Sequence, residues 1–443
     1  SFLPFIFSLS LYLSPRRTLK FLPLFLSLLT LALKMAAVID KEMFKSTLKV
    51  LALKVQSKYC SRFTKTFKPL LLNKKRMQSI VSTETDGEKL VLLSTDDKAF
   101  ADKLEGPAKE LYEEAKPAVL EHEISIGYDY YNVEEVLKKL LPESVEVPTS
   151  FETVGHIAHL NLRDEHLPYK ELIGQVIVDK LSPRIRTVVN KTGTIQNEFR
   201  VFPMELLAGQ PNYIAEVRQN GCMFKLDYSK VYWNTRLEQE HLRMVRSFSK
   251  DDVVCDMFGG IGPFAVPAGK RKVKVYANDL NPSSFEWLDE NVKKNRVEKH
   301  VECFNMDGRD FVRELLKKCK DGPEPKPFFT KVVMNLPASA VEFLDVFRGA
   351  FDRQVWAGRQ LPVVHCYAFS REEDPLKDLV ERAAKAMGKP PQGATVFDVR
   401  DVSPQKRMYC LNFRLTDDIA FPDSDEKEED SGEPAAKKAK TDE

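Results

Sequence analysis

Between Val253 and Pro267 the chain reads VVCDMFGGIGPFAVP, an apolar run closing on Asp256, then glycines at 259, 260 and 262, then a helix opening near Pro263. Few backbones accommodate this order. A buried strand that turns sharply through glycine into a helix is how an α/β sheet lets a ligand touch main chain at a helix N-terminus. The segment therefore predicts a nucleotide-like ligand held by Phe258, Gly259 and Gly262 at the carboxyl edge of a sheet.

The following sequence supplies the context that a short glycine motif needs. VYANDL is a second strand whose Asp279 follows Gly262 by 17 residues, where a carboxylate accepts hydrogen bonds from two ribose hydroxyls. VECFNMDGRD is a third, and Asp307 with Gly308 at its end can read an adenine edge. These contacts suit NAD or S-adenosylmethionine equally. The fourth strand discriminates: KVVMNLPA places Asn335 and Pro337 directly after a buried run. That turn resembles the Asn/Asp-Pro-Pro-aromatic loop of amino- and ring-nitrogen methyltransferases, which dehydrogenases do not need. The plainer alternative is that both residues cap the next helix, SAVEFLDVFRGAF.

With 443 residues there is material for two or three domains. A net charge of +2, from 67 basic and 65 acidic residues, excludes a globally basic nucleic-acid binder, so RNA contacts must come from local patches. The seven cysteines contain no CxxC pair, which argues for reduced core thiols and against a zinc site or a disulfide framework.

The ends are compositionally distinct. Residues 2–33 hold two apolar runs split by Pro15-Arg16-Arg17, each about a dozen residues and shorter than the ~20 needed to span a bilayer. They read as an apolar leader or non-native upstream segment (1–34), with a natural start at Met35 and no stable membrane association expected. From Met43 to Thr83 there are ten Lys or Arg and no acidic residue, with Leu and Val in STLKVLALKV at helical intervals. This suits a mitochondrial presequence or an RNA-contacting domain. Residues 421–443 form an acidic tail expected to be disordered, whose Lys437-Lys438-Ala439-Lys440 cluster is either a nuclear-import signal or a solvated charged face.

Between the ends, KLVLLSTD and VEEVLKKLLP suggest a small basic α/β unit over residues 35–148. Four strand-like runs and the helical YKELIGQVIVDKL suggest an α+β unit over 149–225, with Lys180, Arg184, Arg186 and Lys191 as phosphate contacts or a solvated loop face. Residues 226–420 alternate strand and helix, with strands near Val253, Val273, Val301, Lys331, Val363, Thr395 and Met408. The last two are joined by a turn at Ser403-Pro404 too short for a crossover helix, so the final strand is antiparallel. This is the seven-stranded Rossmann-like α/β layout of class I methyltransferases, preceded here by N-terminal α/β and α+β RNA-binding domains.

Taken in order, HIAHLNLRDEHLPYKELIGQVIVDK, KVYWNTRLEQE, DMFGGIGPFAVPA, ANDLNP and MNLPA resemble the eukaryotic and archaeal tRNA (guanine-37-N1)-methyltransferase family over roughly residues 150–415. The resemblance implies S-adenosylmethionine as methyl donor without a metal, tRNA as substrate through its anticodon loop and body, and a monomer in cytoplasm and nucleus with a share in the mitochondrial matrix. Its functional positions fall on Arg200, Tyr232, Arg236, Glu240, Asn335 and Pro337. Its cofactor positions fall on His241, Asp279, Leu280, Asp307, Gly308 and Asn335. Thr235 stands where proline is usual, and Gly259 where alanine is usual.

The chemistry suits those residue types. Guanine N1 carries a proton, so a general base must remove it, and Glu240 fits if the closed site desolvates it. Negative charge then grows on O6, where the guanidinium of Arg200 can stabilise it. Asn335 would hold the guanine edge and Tyr232 would stack on the extruded base. Arg236 and Glu240, four apart, would share a helix face as an ion pair. Rival readings are the related wybutosine-pathway aminocarboxypropyl transferase, a tRNA-binding protein with a retired core, and a small-molecule methyltransferase.

Overall fold

The computed structural model describes residues 39–148, 150–193 and 199–421. The expected leader and the expected acidic tail with its basic cluster lie outside the described residues. The chain divides into two compact units, one of residues up to 150 with 162–184 and 207–209, the other of 151–161, 185–206 and 210 onward.

In the first unit, β1 (Ser46–Gln56), β2 (Ile80–Ser82), β3 (Glu88–Leu92) and β4 (Ala118–Ile126) form a sheet in the order β2-β3-β1-β4. Helices α1 (Cys60–Thr66), α2 (Gly106–Ala115), α3 (Val133–Leu140) and α4 (Lys170–Leu181) complete it. The helical spacing read in STLKVLALKV is corrected: the stretch is β1, paired antiparallel with β3 on one side and β4 on the other. Leu51, Ala52 and Leu53 are consecutive and all buried, which a central strand with both faces covered requires. Helix α3 starts where Asn132 and Glu135 cap one another at 2.7 Å in both directions.

In the second unit, β5 (Glu152–Val154), β6 (Ile157–Leu160), β7 (Thr187–Lys191) and β8 (Met204–Gly209) make one sheet, and β9 (Ile214–Gln219) pairs with β10 (Cys222–Asp227). The main sheet follows: β11 (Val253–Asp256), β12 (Lys274–Asn278), β13 (Val301–Phe304), β14 (Lys331–Met334), β15 (Val363–Ser370), β16 (Thr395–Ser403) and β17 (Lys406–Arg414). Its order is β13-β12-β11-β14-β15-β17-β16, with β17 antiparallel to both neighbours. The helices of this unit are α5 (Glu238–Ser247), α6 (Ala265–Lys270), α7 (Pro282–Lys294), α8 (Gly308–Asp321), α9 (Pro375–Met387) and α10 (Asp417–Ala420).

Strand alternation divides the core between the two faces of this sheet. Val254, Val333 and Tyr367 pack on one face with Met244 and Val245 of α5 and Leu288 of α7. Cys255, Val332, Met334, Cys366 and Ala368 pack on the other with Phe311 of α8, Leu344 and Leu379 of α9. With both faces covered, the strands are near-continuous apolar runs, which is why they were legible in the sequence. The stretch expected as a helix after Pro337 is a 3₁₀ helix, Ala340–Phe347. Buried Val341, Leu344 and Phe347 recur every third residue, the period at which such a helix keeps one line of side chains inward. All seven cysteines are free thiols.

Candidate active site at the carboxyl edge of the sheet

The parallel strands β11 to β15 end on the same edge, and the turns after the first four carry Phe258 to Gly262, Asp279 and Leu280, Asp307 and Gly308, and Asn335 and Pro337. After β11, Gly262 has φ of +97°, and a Cβ added there would lie 2.8 Å from Val266 and 2.9 Å from Leu288, so only glycine fits. Gly259 donates its amide to the Asn278 carbonyl at 2.6 Å, tying this turn to the end of β12. A Cβ at Gly259 would lie 3.3 Å from the Asn278 carbonyl oxygen and 3.5 Å from both Ala277 and Asp256, so the glycine, where alanine is usual, relieves one tight backbone contact.

Two carboxylates face this turn. Asp279 accepts the Gly260 amide at 2.8 Å on one oxygen and the Asn281 amide at 3.0 Å on the other. Burial pushes its carboxyl up to about 6, against the pull of those two amides. Asp256 is completely buried and no side chain bonds either of its carboxyl oxygens, the nearby Phe258 amide alone favouring its charged form. Burial, reinforced by the nearby Asp279, raises it to about 8. Sequence reasoning treated Asp256 only as the end of a strand; its lack of side-chain partners is visible only in three dimensions. Beside it, Asp307 caps α8 by accepting the Arg309 amide at 2.8 Å. Gly308 follows in a tight place, since a Cβ would lie 3.0 Å from the side chains of both Met257 and Phe258, which would have to shift. Leu280 is exposed at the edge, and the ring of Phe258 meets Phe343 edge-on at 5.1 Å.

These residues fit a nucleoside that carries an amino acid. The orphaned Asp256 carboxyl matches an ammonium, Asp279 lies where ribose hydroxyls can share its oxygens, and Leu280 offers an apolar surface to a flat base. Among the described residues no cluster of His, Cys, Asp and Glu could hold a metal ion.

The second half of the site surrounds the end of β15. Pro337, in the turn after β14, accepts the Phe369 amide at 3.1 Å, and Arg200 donates to the Ser339 hydroxyl of the same turn at 3.4 Å. Arg200 has φ of +59°, a left-handed conformation that non-glycine residues rarely adopt and that aims its long side chain at this turn. The Asn335 Oδ1 is buried without a hydrogen-bond partner. Glu240, in the first turn of α5, is buried and accepts from the Tyr367 hydroxyl at 2.6 Å. Tyr367 and Phe369 are two residues apart on one strand, so β15 links Glu240 to the Asn335–Ser339 turn over about 7 Å of strand rise.

One expected pairing is not formed. Arg236 bonds Glu152 at 2.7 Å, and Glu240 is held instead by Arg243, at 2.7 and 2.6 Å. The reason is a break in period: Arg236 belongs to the 3₁₀ turn Thr235–Leu237 and α5 begins only at Glu238, so the four-residue spacing does not run on one α-helical face. Tyr232 is partly exposed, its ring tilted at 6.4 Å from Phe202, whose face carries the Lys191 amine at 3.9 Å. His241 packs edge-on against Phe264 at 4.8 Å, and burial holds its imidazole down at about 3, so it is neutral at physiological pH. Of the proposed phosphate contacts, Lys180 donates to the Tyr128 carbonyl at 2.6 Å.

The TRM5/TYW2 methyltransferase domain matches residues 215–391, and the TYW2 N-terminal domain matches residues 133–212. A tRNA (guanine(37)-N(1))-methyltransferase of Phytophthora infestans is 47% identical over 394 residues, covering 86% of this chain and 93% of its own. One from Dictyostelium discoideum is 43% identical, covering 85% and 82%. The chain belongs to the tRNA (guanine(37)-N(1))-methyltransferase family. Among solved structures, Trm5b of Pyrococcus abyssi aligns with a TM-score of 0.54 at 26% identity, covering 82% of this chain and 99% of its own. A complex of aTrm5 and tRNALeu shares the fold, with a TM-score of 0.61 at 23% identity over 83% of this chain and 100% of that one.

Proposed function

We propose that this protein transfers a methyl group from S-adenosylmethionine to N1 of the guanosine at tRNA position 37, next to the anticodon. The observation that carries the reading is the convergence on the end of β15: Glu240 bonded to Tyr367, Pro337 bonded to Phe369, and Arg200 bonded to Ser339 of the Pro337 turn. S-adenosylmethionine supplies an electrophilic methyl group and keeps the bonding pair as a neutral thioether. Asp256 would hold its ammonium, Asp279 its ribose, and Leu280 with Asp307 and Gly308 its adenine.

On the acceptor side the N1–H bond breaks, the proton passes to Glu240 and the electron pair stays on the ring, shared between N1 and O6. Arg200 faces the charge that grows on O6. Asn335, whose Oδ1 is otherwise unpaired, receives the hydrogen-bond donors of the guanine edge, and Tyr232 stacks on the flipped base. The same reading extends to a monomer working in cytoplasm and nucleus with a share in the mitochondrial matrix. Gel filtration and imaging of a full-length fusion test those two points.

The activity is tested by incubating the protein with unmodified tRNA and labelled S-adenosylmethionine and mapping the product. Label on N1 of guanosine 37 is expected. An aminocarboxypropyl adduct would assign the chain to the related transferase reaction, and label confined to small molecules would remove tRNA as substrate. Glu240→Gln is expected to bind S-adenosylmethionine normally and to lose roughly 10²–10⁴-fold in single-turnover rate.

A further inference from the structure

We infer that Tyr367 is a positioning residue for the reaction, which with Arg243 leaves Glu240 a single open acceptor site, on Oε2, to receive the N1 proton. The inference rests on the base role of Glu240 proposed above.

Tyr367 lies in the carboxyl-terminal half of VVHCYAFS, a largely apolar strand, and is fully buried on the α5 face of the sheet. Phenylalanine would fill that volume with no polar group to satisfy. The hydroxyl is instead bonded to Glu240 Oε1 at 2.6 Å. Arg243 adds its Nη2 to the same Oε1 at 2.6 Å and its Nε to Oε2 at 2.7 Å. The guanidinium is itself pinned by the ring of Phe397, 3.8 Å below it. A carboxylate offers about two acceptor directions on each oxygen. On Oε1 both are taken. On Oε2 one is taken and one is left, so the carboxylate is oriented as well as charged.

The groups that face this carboxylate hold one protonation state across the neutral range. Arg243 on its own helix is raised further by Glu240, and burial keeps Tyr367 of β15 and Cys410 of β17 protonated, while neighbouring His241 is neutral. Loss of the Tyr367 hydroxyl removes one donor to the charged form of the carboxylate. The carboxylate is then free to turn, and the open direction on Oε2 is no longer fixed.

The test uses the full chain with unmodified tRNA. Tyr367→Phe is expected to lower the single-turnover rate by about tenfold through misorientation of the carboxylate. The KM for tRNA and the affinity for S-adenosylmethionine should stay within about twofold. Placed in a Glu240→Gln background, Tyr367→Phe should cost nothing further. An unchanged rate, a loss carried by KM or by S-adenosylmethionine affinity, or an undiminished loss in the Glu240→Gln background would overturn the inference. If Tyr367→Phe does not fold, Arg243→Lys carries the same test, because a single amine cannot bridge both oxygens. Full turnover by Glu240→Gln would sink the base assignment itself; an inactive Glu240→Gln with a silent Tyr367→Phe would sink only the role of Tyr367.

Discussion

The two ends of the active edge treat a buried carboxylate in opposite ways. At the end of β15, Glu240 accepts three hydrogen bonds from two side chains. At the end of β11, Asp256 is more deeply buried and accepts none from any side chain. The fully partnered carboxylate is an ion pair with a fixed direction, suited to moving one proton. The unpartnered one carries the desolvation cost of burial uncompensated, and a cationic ligand relieves it. On the proposed function, one end thus serves chemistry and the other binding.

That division can be broken by experiment. The largest expected effect is on the chemical side: Arg200→Ala should lose about 10²–10³-fold in single-turnover rate while its affinity for S-adenosylmethionine, measured by calorimetry, is unchanged. A loss of cofactor affinity instead would mean that the two ends are not separate. On the binding side, Gly262→Ala puts a Cβ against Val266 and Leu288 and should cost about 1–3 kcal/mol of stability along with weaker cofactor binding. Denaturant unfolding and the same calorimetry check both.

Asp256→Asn sharpens the comparison through pH. The folded protein holds the proton of Asp256 more tightly than the unfolded chain does, so native Asp256 lowers stability progressively as the pH rises from about 4, its ordinary value, toward about 8. The amide removes that penalty. Asp256→Asn is therefore expected to be more stable than wild type by about 1–3 kcal/mol above pH 8, with the difference vanishing near pH 4, and to bind S-adenosylmethionine more weakly at both. A stability difference independent of pH would show that Asp256 is not the titrating group. The smallest effect is expected at Arg236→Ala, whose exposed ion pair with Glu152 contributes less than about 1 kcal/mol to unfolding free energy.

The sheet and its glycine turn were legible because they depend on local signals, namely apolar runs, a glycine cluster and a connection too short for a helix. The arrangement at Glu240 was not. Arg243 reads as one more surface charge on a polar helix, and Tyr367 as one more core residue in an apolar strand. Their common target is set by α5 lying across β15, 127 residues away in the case of Tyr367, and no spacing encodes it. The Arg236–Glu240 pairing failed for the reverse reason. A local rule was applied across a 3₁₀ turn that changes the period, and a β5 carboxylate, Glu152, took the partner. In β1 the apolar spacing fitted a helix, and pairing on both edges made it a strand.

The place of β17 between β15 and β16 carries a consequence for how the enzyme comes into being. Strand β15, which bears Tyr367, has β14 along one side, and its other side is closed only by residues Arg407 to Arg414. During synthesis the turns after β11 to β14 can be in place while β15 still waits for its neighbour to leave the ribosome. A message truncated ahead of Lys406 would thus yield a chain with an open strand edge along β15, prone to joining other chains.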